Sequence, residues 1–230
     1  MNIAIIPAKE FSKRLKNKNI KILNNQPIIS TVIKKLINSK IFDKIYVSTD
    51  SNKISKISIK CGAHVNELRP KYLCKNSTTI IDVMNYEVKK LKKKYNDLKF
   101  VCCAFPTAVF IEKKHLLKSY RILNKNNKKF VFSVKKVDQR LFKSFYITKN
   151  NTCQYIFKKN ISIDSKKLSN VYLDAGQFYF SHHRVWVEKK DIDLLNNYLI
   201  EINNPIDIDD INDWKKLINL HGSDFNKKSS

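Results

Sequence analysis

Glycine is nearly missing from this chain: three residues in 230, at Gly62, Gly176 and Gly222. Neither G-x-G-x-x-G nor G-x-x-x-x-G-K-[ST] can be built from them, which excludes a glycine-rich phosphate cradle and disfavours a dinucleotide fold for redox cofactors. No apolar run reaches 18 residues, so no membrane-spanning helix is expected. The N-terminus lacks a charged region leading through an apolar one to a cleavage site, and no signal peptide is expected. The five cysteines have no C-x-x-C spacing, and Cys102-Cys103 are adjacent within an apolar run; reduced thiols in the cytoplasm are the better reading. His182-His183 lack metal-ligand spacing, which argues against structural zinc. Neither a serine nucleophile elbow nor a repeat of solenoid period is present.

What remains is a core and a great deal of positive charge. Hydrophobic residues make up 43% of the chain, with thirteen Phe, enough for one α/β domain over residues 1–220 and a flexible tail over 221–230. The formal charge is +25. A nucleic-acid partner is one explanation. The lysines, however, are spread along a chain rich in Lys, Asn and Ile, with Lys replacing Arg almost everywhere, so compositional drift is preferred and nucleic acid is disfavoured. Anionic substrates would still be drawn to such a surface.

Strand-type and helix-type segments alternate. Ile3-Ala4-Ile5-Ile6 reads as a strand buried on both faces, ended by Pro7. Pro27 opens a helix whose face is Ile29, Val32, Ile33, Leu36 and Ile37. Strands are expected at Lys44–Ser48, Ala63–Asn66, Phe100–Phe105, Phe130–Val134 and Ala175–Phe180. Helices are expected at Asn52–Lys60, from Thr78 or Thr79 to about Lys94 (face Ile81, Met84, Val88, Leu91), at Lys113–Asn124, and at Ile211–Leu220. The last is capped by Asp210, with Trp214, Leu217 and Ile218 inward. The alternation predicts βαβ units and a mostly parallel sheet. Residues 138–173 break the rhythm with an aromatic-rich hairpin turning at Lys149-Asn150-Asn151.

Three stretches carry chemistry. The loop after the first strand holds Lys9, Ser12, Lys13, Arg14, Lys16, Lys18, Asn19 and Lys21. A cationic loop at the carboxyl end of a buried strand suits a polyphosphate, although a solvated charged loop would look the same. In Asn204-Pro205-Ile206-Asp207-Ile208-Asp209-Asp210, an extended backbone puts Asp207 and Asp209 on one face, where a hard cation such as Mg²⁺ would relieve their repulsion; solvent-facing aspartates are the plain alternative. In Asp174-Ala175-Gly176-Gln177-Phe178-Tyr179, Asp174 and Gln177 offer hydrogen-bonding groups backed by two aromatics, although a strand entry with a glycine for close approach reads the same; Arg140 carries a fork that matches a carboxylate, with an ordinary surface arginine as the plain alternative.

Together these stretches resemble the cytidylyltransferases that activate nonulosonic acids, the CMP-sialic acid synthetases, and most closely their pseudaminic acid branch. Ile6-Pro7-Ala8-Lys9-Glu10-Phe11-Ser12-Lys13-Arg14-Leu15 with Lys18-Asn19-Ile20 is similar to the N-terminal signature, Pro106-Thr107-Ala108-Val109-Phe110 to a P-T-A-P-F segment, and Asp207-Ile208-Asp209 with Trp214 to the late metal motif. The resemblance implies a three-layer Rossmann-like α/β fold, a dimerisation arm at 138–173, a homodimer, and synthesis of a CMP-sugar from CTP with release of pyrophosphate. It implies catalytic roles for Lys9, Lys18 and Asp209, and nucleotide contacts from Ser12, Lys13, Asn19, Asp50 and Thr78. Sugar contacts would come from Arg140, Asp174 and Gln177, and Mg²⁺ ligands from Asp207 and Asp209. A sialic, legionaminic or Kdo-type substrate, an impaired paralogue, and a non-catalytic nucleic-acid binder are the alternatives. Lys9 stands where the pattern has Arg, and Glu10-Phe11 where it has two glycines. Glu10 is therefore expected to set a negative charge beside bound phosphates.

Overall fold

A computed structural model describes residues 1–125, 130–188 and 196–227. The chain runs β1 (Asn2–Pro7), β2 (Ile22–Leu23), β3 (Gln26–Pro27), α1 (Ile28–Ser39), β4 (Lys44–Ser48), α2 (Asn52–Lys60), α3 (Ile80–Lys94), β5 (Phe100–Ala104), α4 (Lys113–Lys125) and β6 (Phe130–Val137). It continues through β7 (Phe145–Ile147), β8 (Cys153–Tyr155), β9 (Val171–His182), α5 (His183–Val187), β10 (Tyr198–Glu201) and α6 (Ile211–Lys227). Six strands form one sheet in the order β10-β6-β9-β5-β1-β4, parallel except for β9, which is antiparallel to both neighbours.

Side chains of β1 alternate between two cores, which is why the strand reads as an unbroken apolar run. Ala4 and Ile6 join a cluster with Ile29 and Val32 of α1, Leu116 of α4, and Trp214 and Leu217 of α6. Ile3 and Ile5 face Met84 and Val88 of α3 and Trp186 of α5. The result is a helix–sheet–helix sandwich, the expected three-layer class.

Several local expectations change. Pro27 closes β3 and precedes α1 rather than opening it. Ile28 is buried while Ile37 is exposed, and on α6 Ile218 is exposed, because each apolar stripe is narrower than its run of isoleucines. On α3 the inward face includes Val83, and Ile81 is only half-buried. Ala63–Asn66 forms a single bridge, Tyr46 to His64, not a strand. The α6 helix passes its expected end at Leu220 and runs to Lys227, and residues 228–230 of the expected tail lie outside the described residues. Asp210 caps α6 as anticipated, accepting from the amides of Asn212 (2.7 Å) and Asp213 (3.0 Å). The α5 turn and β10, with three of four residues exposed, have no strong sequence signal. Between β6 and β9 the chain leaves the sheet as a hairpin of β7 and β8 whose strand residues are all exposed, with Asn151 left-handed at the turn.

Strand β9 carries a bulge. Phe132 pairs with Tyr179 and Val134 with Asp174, so residues 175–178 stand opposite Ser133 alone. The buried Ser133 hydroxyl accepts from the amides of Gln177 (3.2 Å) and Phe178 (3.0 Å), two donors the displaced ladder would otherwise strand. Ser133→Ala should lower unfolding free energy by about 1–3 kcal/mol, the cost of unsatisfied buried donors. A urea midpoint equal to wild type would show that the bulge does not need this hydroxyl.

One buried acid sets a pH dependence. Glu87 on α3 accepts from the Ser48 hydroxyl at 2.6 Å, yet burial pushes its carboxyl above the ordinary glutamate range. A raised folded pKa means that ionisation opposes folding. That cost is absent below the ordinary carboxylate range, grows as pH rises through the shifted value, and is full above it. Glu87→Gln should therefore melt higher than wild type at pH 8, and the gap should close towards pH 4, as read by thermal melts across that range.

Candidate active site

The β1 carboxyl end delivers residues 8–21 to the top of the sheet, and backbone geometry fixes their path. Asn17 is left-handed (φ 55°) and leads into a single 3-10 turn, Lys18–Ile20. The Asn19 amide donates to the Lys9 carbonyl at 2.8 Å, closing the loop on itself. Asp50, just past β4, accepts from the Glu10 amide at 2.7 Å.

This loop walls a cleft of about 650 Å³ with Lys9, Ser12, Lys13, Arg14, Lys18 and Asn19. Opposite stand Asp174 and Gly176 from the β9 bulge, and Asp207 and Asp209 from the segment before α6. Phe105, Pro106 and Thr107, following β5, complete the wall. The two sides touch: Lys18 Nζ lies 3.2 Å and Arg14 Nη2 2.9 Å from the same oxygen of Asp209. Lys9 Nζ reaches Asn76 at 3.4 Å.

Glycine is required at position 176, which has φ +60°. A β-carbon there would stand 2.7 Å from the Asp207 carboxyl carbon. Burial raises the Asp207 carboxyl, Asp209 and Asp174 push it the same way, and Lys18 partly offsets them. Burial likewise raises Asp174, against the Gly176 amide that donates to it at 2.8 Å. These acids are short of positive charge despite the nearby lysine. Among the described residues no three His, Cys, Asp or Glu side chains are grouped to enclose a metal. Asp207, desolvated, and Asp209, held by Lys18 and Arg14, nonetheless present hard carboxylate oxygens to one cleft, a donor set that fits Mg²⁺, which usually takes one or two carboxylates and fills its shell with water and phosphate oxygens.

The structure thus brings together Lys9, Ser12, Lys13, Lys18, Asn19, Asp174, Asp207 and Asp209. It does not bring Asp50, Thr78, Arg140 or Gln177 to the cleft. Asp50 instead buttresses the loop from outside. Thr78 lines a separate cavity beside α3. Arg140 lies exposed in the arm, its Nε 2.8 Å from Asp138. Gln177 is 1% exposed and its amide is fully used: it donates to the Ala175 and Gly176 carbonyls and accepts from the Phe110 amide at 3.2 Å. The bulge turns it inward, where it stitches β9 to the loop after β5. Glu10 also departs from expectation. Its carboxylate accepts from the Ser51 hydroxyl at 2.8 Å, so it is turned away rather than placed beside the cleft, and Phe11 is 67% exposed.

Arg14, named in the cationic loop without a role of its own, lines the cleft and pairs with Asp209, and Asn76, for which no sequence signal exists, lines it too. Sequence reasoning passed over Arg69, whose buried guanidinium has Nε and Nη2 without partners. The available signal was the rarity of arginine, five of the forty-five basic residues, which marks each one kept.

The profile of the cytidylyltransferase family matches residues 3–203. The chain is 31% identical over 214 residues to the pseudaminic acid cytidylyltransferase of Campylobacter jejuni subsp. jejuni serotype O:2, covering 92% of each. It is 32% identical over 215 residues to a Helicobacter pylori protein named pseudaminic acid cytidylyltransferase and UDP-2,4-diacetamido-2,4,6-trideoxy-beta-L-altropyranose hydrolase. That match covers 93% of this chain but only 41% of the two-activity relative. In fold it is similar to CMP:2-keto-3-deoxy-manno-octonic acid synthetase complexed with CTP, with a TM-score of 0.72 at 11% identity over 97% of this chain and 99% of that one.

Gly176→Ala should cost about 1–2 kcal/mol for the left-handed backbone alone, before the contact with Asp207 is counted. An unchanged urea midpoint would show that neither constraint operates.

Proposed function

The chain belongs to the cytidylyltransferase family, and from that premise we propose that it couples CTP to a nonulosonic acid, with pseudaminic acid the best candidate, giving the CMP-sugar and pyrophosphate. The observation that carries this reading is the contact of the cationic β1 loop with the late aspartates, Lys18 to Asp209 at 3.2 Å, across a cleft of nucleotide size. The anomeric hydroxyl attacks the α-phosphorus in line, and the bond to the bridging oxygen breaks as pyrophosphate leaves.

Lys9, Lys13 and Lys18 take phosphate oxygens, with Ser12 and Asn19 as neutral donors. These groups neutralise charge and hold the triphosphate still, which is most of what such a transfer asks of a protein. Asp207 and Asp209 would hold Mg²⁺, whose chemistry when bound is to offset charge on the phosphates and the leaving group. Lys18 and Arg14 meanwhile hold Asp209 in place. Asp174 accepts from sugar hydroxyl or amide groups.

The arm supports a homodimer: Phe145, Tyr146 and Ile147 of β7 are all more than half exposed, a patch that invites cover. Five free cysteines, and the absence among the described residues of a helix long and apolar enough to cross a membrane, support action in the cytoplasm.

With Mg²⁺, CTP and pseudaminic acid, the wild-type chain should release pyrophosphate, and Asp209→Ala should reduce kcat/KM by at least about a hundredfold, since it removes a ligand of the ion that would offset phosphate charge. Full activity in the variant, or none in the wild type with any keto-acid sugar, would overturn the reading.

A further inference from the structure

Lys35 of α1 carries a charge into the seam between that helix and the loop that follows β5. Its side chain is half-buried, and its ammonium donates to two main-chain carbonyls of the loop, those of Val109 and, at 3.1 Å, of Ile111. Burial lowers the Lys35 pKa, with Glu112 partly opposing, so the ammonium sits where water serves it poorly and the two carbonyls take the place of that water.

The loop is short and closely tied. Ala108, Val109 and Ile111 are buried. The Val109 amide donates to the Thr107 carbonyl at 2.8 Å, a bond that the second proline of the resembled P-T-A-P-F segment could not make. Without that ring, nothing covalent fixes φ at residue 109, and the restraint has to come from contacts. Gln177 supplies one set from the sheet side. Its Oε1 accepts from the Phe110 amide at 3.2 Å, between the two carbonyls that Lys35 holds, and its carbonyl accepts from the Phe105 amide at 3.0 Å. The same side chain donates to the carbonyls of Ala175 and Gly176 in the β9 bulge. The loop is therefore gripped from α1 and from β9 at once, and its first residues, Phe105, Pro106 and Thr107, form one wall of the cleft.

Resting on the cytidylyl-transfer reading above, we infer that Lys35 is a positioning residue for that reaction: from outside the lining of the cleft, it sets the wall at residues 105–107 by clamping the loop at Val109 and Ile111. The cationic loop opposite is held separately, through Asn19 and Asp50. Loss of the clamp thus displaces one wall and leaves the phosphate-facing one in place. In-line attack depends on how the two reactants are aligned, so the loss falls on turnover more than on nucleotide affinity. A lysine that served packing alone would act on the stability of the whole fold.

The test uses the full chain. Lys35→Met keeps the length of the stem and drops the donors. Amide hydrogen exchange at Phe110 and Ile111 should quicken at least about tenfold, with Ile5 of β1 staying within about twofold of wild type. With Mg²⁺, CTP and pseudaminic acid, its kcat should fall about tenfold and its KM for CTP should move less than about threefold. Lys35→Arg keeps the charge and a donor for each carbonyl, and should stay within about threefold of wild type on both measures. Unchanged loop exchange or unchanged kcat in Lys35→Met, quickening shared equally by Ile5, or a Lys35→Arg chain as impaired as Lys35→Met would each overturn the clamp. If the wild type releases no pyrophosphate with any keto-acid sugar, the cytidylyl-transfer reading falls, and the exchange rates still decide whether Lys35 holds the loop.

Discussion

At Gly176 the Asp207 carboxyl carbon lies 2.7 Å from where a β-carbon would stand, and the backbone is left-handed, so two independent constraints select the same residue. The close approach exists because β9 carries four residues opposite one on β6, and Ser133 satisfies the amides this displaces. The cleft inherits its shape from that irregularity. A regular antiparallel pairing would have run Asp174 straight on to Tyr179, with no shelf for the aspartates to pack against. In a chain with three glycines, one is committed to this contact.

Charge then decides how the loop opposite must be built. Asp174, Asp207 and Asp209 share one wall, and burial raises the first two above the ordinary aspartate range. An additional carboxylate at Glu10 pointing inward would have worsened this. The loop avoids it by turning Glu10 onto Ser51, while Asp50 takes the Glu10 amide and Asn19 ties the segment to Lys9. The Glu10-Phe11 departure from the family's glycine pair is thus absorbed by the loop's path, with Phe11 left in solvent and the lysines still facing the acids. Lys9, lining the same wall, presents a compact ammonium rather than the planar fork of an arginine.

How much of this could be read in advance depends on the range of each interaction. β1 and β5 are buried on both faces, and that requirement writes itself locally as an unbroken apolar run. The alternating aspartates and the lysine loop are also local patterns, and both were legible. Gln177 was misread because its direction depends on a bulge set by Ser133, 44 residues away. Thr78 was misplaced for a similar reason, because the segment from Lys71 takes it to the far side of Asn76 in a different cavity. Arg140 sits on the exposed arm and is paired there with Asp138, two residues before it, a local contact that turns it to its own neighbour rather than to the cleft. Ile37 and Ile218 show the limit of periodicity: spacing marks a helical face, and the neighbouring helix decides how wide that face is.

The excess of positive charge explains attraction and leaves discrimination unexplained. Forty-five Lys and Arg against twenty acids raise the local concentration of any anion, whether nucleotide, sugar acid or nucleic acid, with little regard to which it is. The lysines that line the cleft are equally tolerant, because ammonium groups recognise charge more than shape. Selecting one keto-acid sugar among several requires buried groups that lose something when the wrong partner arrives, and these are the groups lysines cannot supply. Around this cleft they are few, and the desolvated carboxylate of Asp174 is the clearest of them. Asp174 lines both the cationic cleft and an apolar cavity between β6 and β9, so charged and apolar surfaces meet at this one side chain. A desolvated carboxylate in that position rewards a ligand that brings a donor and penalises one that brings a further anion.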